Sequence, residues 1–449
     1  MADERTALAA APATAKAAAR PGSWRQLALL SGLISMDSSE SSVVSVLFPA
    51  LRSALGLPLS ALGALVAAGK VAGMVTGPLW VMLAQRMSRK TVLVVSSGLW
   101  GLWSVAAGLA QNYVQLLVLA TVASAGFAGG SVLVNGILAD MFDDTRRGRA
   151  AGYLYAGVAV LLAVVSPVLG LLSRVHDGWR YGFFTSGGVT VLFGVLVAAF
   201  FRDPGVGAAE QVGEDRRRFG GTTLTWPVVR ELLGSSTIRL ILVQRLFNTQ
   251  LALLSFGVVY LVDVFHFSNA ESSLVSAPAS LCYLAGTAIG GVVVDRAQRR
   301  LPDTGRLLTW QLATVGWGLV ALLATQVAWP SIGWYVLLFC GVGVLQGFNP
   351  GCNRPILMAV ARPETRSAAF ALMLSAESAG WALSTLAIGY AGSAFGLRTA
   401  VLWLIVVLTF ANGLFMTTIY RPLRREARAM RAATDETCAP LHSTATEQP

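Results

Sequence analysis

Charge is sparse in this sequence. Asp, Glu, Lys and Arg make up 13% of its 449 residues, against roughly 25% in an average soluble chain, too few to cover a globular surface. Histidine and cysteine are scarcer still. His176, His266 and His442 fall in predicted loops or the tail and offer no metal-ligand spacing. No nucleophile–base set and no Walker phosphate loop is present, so neither a membrane enzyme nor an ATP-driven pump is expected, and no cofactor. Of the four cysteines, Cys282, Cys340 and Cys352 lie inside apolar runs, where a free thiol acts as a small apolar filler, and Cys438 lies in the tail. No disulfide framework is implied. The first 25 residues lack the apolar core of a cleaved signal and read as a tail.

What is there is mostly apolar. Hydrophobic residues make up 55% of the chain and the mean hydropathy is +0.62. Runs of about 20 apolar residues, the length that crosses a bilayer, follow one another from Gln26 to Tyr420. They are continuous and rich in Leu, Val, Ala and Gly, unlike the short alternating segments of a barrel, so the expected fold is an all-α membrane protein of about twelve transmembrane helices. A polar stretch from Asp203 to Ser236 separates the sixth span from the seventh. The expected organisation is therefore an N-terminal tail (1–26), a first bundle (27–202), a linker (203–237), a second bundle (238–420) and a C-terminal tail (421–449). Within the linker, Trp226, Pro227 and Leu232 fit either a short interfacial helix or an ordinary connection.

The formal net charge of +11 first suggests nucleic acid, but its distribution argues otherwise. Alternate loops hold Arg86, Arg89 and Lys90; Arg146, Arg147 and Arg149; Arg216, Arg217 and Arg218; Arg296, Arg299 and Arg300; and Arg421, Arg424 and Arg425. This asymmetry is the positive-inside pattern of a multi-pass protein of the plasma (inner) membrane with both termini in the cytoplasm. The expected partners are the lipid bilayer, a small-molecule substrate and protons, with no nucleic acid and a monomeric chain; the basic tail is drawn to anionic headgroups.

Three landmarks recur at similar offsets, the mark of an internal repeat. The basic turn at Gln85 returns at Asp295, 210 residues on; the turn at Arg149 returns at Arg366, 217 on; and Arg180 returns at Arg398, 218 on. The turn after the second span resembles the signature G-x-x-x-D-R-x-G-R-R/K of the major facilitator superfamily. The second copy, Gly291-Val292-Val293-Val294-Asp295-Arg296-Ala297-Gln298-Arg299-Arg300, keeps the glycine, the acid and three basic residues. The first copy has Val81, Gln85 and Ser88 at the glycine and acid positions and keeps Arg86, Arg89 and Lys90. The resemblance implies two pseudosymmetric six-helix halves, a cavity lined by helices one, four, seven and ten, and a cytoplasmic latch. Asp295 can serve that latch in the second half, and in the first copy, where Gln85 replaces the acid, Arg86, Arg89 and Lys90 remain gate candidates. The plainer reading of both turns is topology alone. Antiporter relatives often carry an arginine in the fourth helix and a Gly-Pro pair in the fifth. This chain has Leu119-Ala120-Thr121-Val122-Ala123-Ser124 and Ser166-Pro167-Val168-Leu169-Gly170 there, so that efflux signature is weak. Ser131 and Asn135 read as helix-to-helix glue.

A charge at the bilayer centre costs on the order of 3 kcal/mol, so each one is a functional candidate. Asp37 and Glu40 sit three residues apart on one face of the first span, and Lys70 sits near the middle of the second at a similar depth. If Lys70 neutralises one carboxylate, the other is left desolvated beside a like charge, where it can exchange protons; the alternative is a neutralised packing pair. The second half contributes Arg245 and Asn248 on the seventh span, Gln346, Asn349 and Asn353 on the tenth, and Glu377 on the eleventh. Arg245 serves equally well as an anion ligand or as a partner for Glu377. Asn349-Pro350-Gly351 is expected to interrupt the tenth span, as a cavity-lining break or a kink. Together these place a substrate and proton site between the halves. The expected function is secondary transport of a small organic solute by alternating access, proton-coupled, with export placed ahead of uptake. Proton-coupled uptake of an organic anion, a transport-inactive sensor and a lipid-handling protein are the alternatives. A zwitterion, an amphiphile and a drug-like compound fit equally at this point.

Overall fold

A computed structural model describes residues 23–142, 144–205, 225–362 and 365–438. The N-terminal tail through residue 22, residues 206–224 of the expected linker, and 439–449 lie outside them. Long unbroken apolar runs in lipid must satisfy every backbone group internally, and the described residues accordingly form helices and no strand. The first half comprises α1 (Ser23–Leu55), α2 (Leu59–Arg86), α3 (Arg89–Gly108, with a π-turn at Val94–Leu99), α4 (Tyr113–Met141), α5 (Asp144–Leu172) and α6 (Gly178–Phe200). A short α7 (Trp226–Leu232) follows; it buries Leu232 and exposes Trp226. The second half comprises α8 (Ser236–Leu246), α9 (Gln250–Phe265), α10 (Asn269–Arg300), α11 (Gly305–Gln326), α12 (Ile332–Val360), α13 (Arg366–Phe395) and α14 (397–419), which runs on into α15 (Tyr420–Cys438). Among the described residues 11 helical stretches are long and apolar enough to cross a membrane, α8 and α9 counting as one. The 33-residue α1, with its polar run at Asp37, is the twelfth of spanning length.

The interruption expected at Asn349-Pro350-Gly351 is absent: α12 runs unbroken through Pro350 and Pro355. Pro350 has no N–H to give the carbonyl four residues back, which is that of Gln346. Asn349 fills the gap, its Nδ2 donating to Gln346 O at 3.3 Å while its Oδ1 accepts from Trp310 Nε1 at 2.6 Å. A side chain thus repairs the ladder, and the helix continues. The break lies instead in the seventh span, where α8 ends at Leu246 and α9 starts at Gln250, with Phe247, Asn248 and Thr249 between them.

The halves pack α2 against α13, α5 against α10 and α1 against α9. At the end away from the basic loops they share one apolar core, in which Phe48, Leu59 and Leu62 meet Phe256, Tyr260 and Ile388. Arg52 Nη1 pairs with Asp263 Oδ2 at 2.6 Å, and Ser60 N donates to Ser393 Oγ at 3.1 Å. Gly63 and Gly389 let α2 and α13 touch there: a Cβ on Gly389 would stand 3.1 Å from Ser60 Cα, and one on Gly63 would run into Thr385 O. At the basic-loop end each half keeps its own core, around Leu93, Val134 and Phe201 in one and Ile241, Leu307 and Met416 in the other. The bundle is therefore joined at one end and divided at the other.

The expected tail from residue 421 continues as α15, which buries Leu423 and Ala427 in the second half. Its Glu426 caps α8: the carboxylate accepts from Ser235 Oγ at 2.6 Å, Ser236 N at 2.9 Å and Thr237 N at 3.3 Å. The first turn of any helix leaves N–H groups without helical acceptors, and an acidic group there also meets the favourable end of the helix dipole. Glu426→Ala is expected to lower the Tm of the purified protein, losing about 1–2 kcal/mol, and Glu426→Gln to lose less. An unchanged Tm in E426A would show that water serves those donors as well.

Candidate functional site

Arg245 occupies the last turn of α8, immediately before the break, and is 1% exposed. Its Cζ lies 4.9 Å from the centre of the Trp310 ring, and its Nη1 lies 3.6 Å from Glu377 Oε2. That second distance is an ion pair longer than a hydrogen bond. Nε and Nη2, the two nitrogens that together form one fork of the guanidinium, have no hydrogen-bond partner among the described residues. Neither do Asn248 Nδ2, Gln346 Oε1 or Asn353 Oδ1, so four of the expected cavity residues bring unfilled polar atoms, while Asn349 is spent on its own helix. Gly380 lets α13 approach this turn, since a Cβ there would sit 2.6 Å from the carbonyl oxygens of Arg245 and Leu246.

Lys70 arrives from the other half. Its Nζ lies 3.5 Å from the centre of the Trp381 ring, a cation–π contact across the α2–α13 seam. Trp381 is one helical turn beyond Glu377, so the ring and the carboxylate share a face of α13, and Lys70 is within electrostatic reach of Glu377. Glu377 is thus within reach of a cation of each half. Arg354, exposed on α12, adds a third cation that acts on both Arg245 and Tyr283. It is not singled out by sequence, since it stands beside Pro355 toward the basic end of the span.

The structure corrects the pairing expected of Lys70 with Asp37 and Glu40. Lys70 lies two turns from Gly63 and therefore on the same side of α2, the side that meets α13. The two acids face into the first half, each 6% exposed. Glu40 accepts from Ser104 Oγ on α3 and from Thr190 Oγ1 on α6 at 3.4 Å. Asp37 lies against α4 at Gly130, where a Cβ would overlap both Asp37 Oδ2 and Ser97 Oγ. Ser97 reaches that place from the π-turn of α3, an irregularity of the kind that gathers at functional sites. Both Asp37 oxygens lack a hydrogen-bond partner among the described residues, and no ion pair of either acid is found there. In the same half, Tyr155 donates to Asn135 Oδ1 at 2.9 Å, the interhelical role expected of that amide.

At the basic end, Arg89 binds Asp140 at 2.5 Å and Asp203 through two bonds, Nη2 to Oδ1 at 2.6 Å and Nε to Oδ2 at 3.1 Å. These tie the starts and ends of α3, α4 and α6 together, all within the first half. Sequence reading missed both acids because they stand far from Arg89 along the chain. Arg86 is exposed and Lys90 half-buried beside it. In the second copy, Asp295 and Arg299 line a cleft with Gln298 and Arg306, Arg296 and Arg300 are exposed, and the space beside Gly291 is open. No ion pair joins the halves at this end among the described residues.

Comparison with known proteins agrees with the helical two-half fold. A sequence model described as the Major Facilitator Superfamily matches residues 27–309. The chain is similar to a probable 4-methylmuconolactone transporter of Cupriavidus pinatubonensis, 30% identical over 171 residues, which cover 37% of this chain and 40% of that protein. It is also similar to a probable galactarate/D-glucarate transporter of Bacillus subtilis, 24% identical over 316 residues, covering 64% of this chain and 67% of that one. Among solved structures, a bacterial homolog of the human lysosomal transporter Spinster, in an inward-facing and unoccupied conformation, superposes with a TM-score of 0.71 at 18% identity, covering 92% of this chain and 99% of that one. At that identity the likeness shows the fold.

Proposed function

We propose, on the premise that this chain belongs to the Major Facilitator Superfamily, that it takes up a small organic anion together with a proton by alternating access. The observation that carries the reading is Arg245, a guanidinium buried at the break in the seventh span with an unfilled fork of donors. Burying a charge without full pairing is costly, and an Arg fork matches the two oxygens of a carboxylate. Broken helices in transporters gather at the substrate site. Two cations, Lys70 and Arg245, act on one acid, Glu377, and a third, Arg354, acts on Arg245, while Asp37 and Glu40 are turned away into the first half. That balance favours an anion over a zwitterion or a neutral amphiphile. Galactarate and D-glucarate, which the name of one relative specifies, are dicarboxylates.

Asp37 and Glu40 supply the proton step. Each is a carboxyl group in a low-dielectric interior with hydroxyls for neighbours, where the ionised form is expensive and a bound proton removes the expense. With the basic loops in the cytoplasm of a plasma membrane, the divided end faces inward. One chain holds cations from both halves, so a monomer suffices.

Proteoliposome uptake of D-glucarate, succinate and benzoate, with and without an imposed proton gradient, tests the reading. Accumulation of at least one anion, stimulated several-fold by the gradient, is expected, and Asp37→Asn is expected to remove the stimulation. Transport confined to cations or neutral compounds would overturn the anion assignment, and a full gradient response in the D37N/E40Q double variant would overturn the proton role.

A further inference from the structure

We propose that Glu377 is an internal stand-in for the substrate's anionic group: it lies within reach of Lys70 of one half and Arg245 of the other while the site is empty, and an incoming anion takes those cations from it. The inference rests on the anion reading above and concerns how the site tells full from empty.

Neither cation is firmly held. The closest approach of Arg245 to Glu377 is 3.6 Å through Nη1 alone, while the better fork, Nε with Nη2, has no acceptor. Lys70 rests on the face of Trp381, a neutral partner that returns only part of what an ammonium group loses on leaving water. Glu377 is also the accessible member of its pair, its side chain 27% exposed against 1% for Arg245. An anion entering the divide therefore meets Glu377 before it reaches the guanidinium. A carboxylate able to offer both oxygens to the covered fork makes two charge-assisted hydrogen bonds where Glu377 makes none. Lys70 can leave Trp381 for the same anion, since the ring and the carboxylate are one turn apart on α13. The substrate would then hold a cation from each half, and the empty site would be neutral enough to close without it. The second consequence is selectivity: a cation gains nothing by displacing Glu377.

The purified protein, as wild type and variants, can be titrated with D-glucarate, succinate and benzoate, reading the rise in Tm. Glu377→Gln is expected to unfold earlier when empty, because Arg245 has lost its counter-charge, yet to bind the anion about tenfold more tightly, because its internal competitor is gone. Glu377→Asp, which draws the carboxylate back by one methylene, is expected to move the same way by about threefold, and it carries the test if E377Q does not fold. Lys70→Gln is expected to weaken binding in either background. If no anion shifts the wild-type protein, the anion reading fails and this inference with it. If anions shift the wild type but bind the Glu377 variants no more tightly, the inference alone fails.

Discussion

Arg245→Leu is expected to lower anion affinity by on the order of a hundredfold, since truncating one member of a buried, paired charge typically costs about 2–5 kcal/mol. Much of any such loss can be structural, because the leucine leaves Glu377 facing no partner on α8. The double variant R245L/E377Q removes both charges and is expected to recover the lost Tm without recovering anion binding. Arg245→Lys should recover little of either. A lysine offers a point charge without the planar fork, and it cannot lie flat on the Trp310 ring at the 4.9 Å separation seen here. The readouts are the anion-dependent rise in Tm and uptake into proteoliposomes. Wild-type affinity in the double variant would remove Arg245 from the binding site altogether.

The second large effect is expected at Gly63→Leu, in the apolar core of the joined end. The side chain would run into the Thr385 carbonyl, a backbone atom that cannot rotate aside. Overpacking of this kind costs about 1–3 kcal/mol, and the cost falls only on the state in which α2 and α13 touch. A bias of that size shifts an equilibrium between two states by about 5- to 150-fold. Transport should fall about fivefold or more. A cysteine placed at Ile388, fully buried in the core of the joined end, should become reactive toward a membrane-impermeant maleimide. Gly77→Ala on the same helix has open space within 4 Å and is expected to change neither measurement. If Gly63→Leu leaves the labelling as in the parent, the joined end does not open during the cycle.

How much of this was readable in advance follows the dimensionality of each question. Crossing a bilayer is a matter of length and polarity along one coordinate, so the twelve helices and the two halves were legible from apolar runs and repeated turns. Depth is also one coordinate, which is why Asp37, Glu40, Lys70, Arg245 and Glu377 could be expected at mid-span, where Asp37, Glu40 and Arg245 are buried and Lys70 and Glu377 half-buried. Azimuth is different. Helical spacing shows that Lys70 shares a side with Gly63, but nothing along the chain shows that this side meets α13, and so the acids of α1 were paired with the wrong neighbourhood. The tenth span differs from the cavity-lining break that was one of two expectations for it, because Asn349 stood ready to serve the carbonyl that Pro350 abandons. The seventh hid its break because Phe247, Asn248 and Thr249 contain neither glycine nor proline. Arg354 and the acids that bind Arg89 escaped for a third reason: their significance lies in who stands opposite, which is a property of the assembled bundle.

The cap on α8 reaches further than stability. Glu426 holds the first residues of a helix whose tenth residue is Arg245, and ten residues of α-helix form a stiff rod of about 15 Å. The rod is anchored at its outer tip and packed at its inner one, where Gly380 lies against the carbonyls of Arg245 and Leu246 just before the chain is interrupted. Whatever grips the far end of the polypeptide, whether a headgroup, a docking protein or an affinity tag, would then have a lever on the guanidinium in the middle of the membrane.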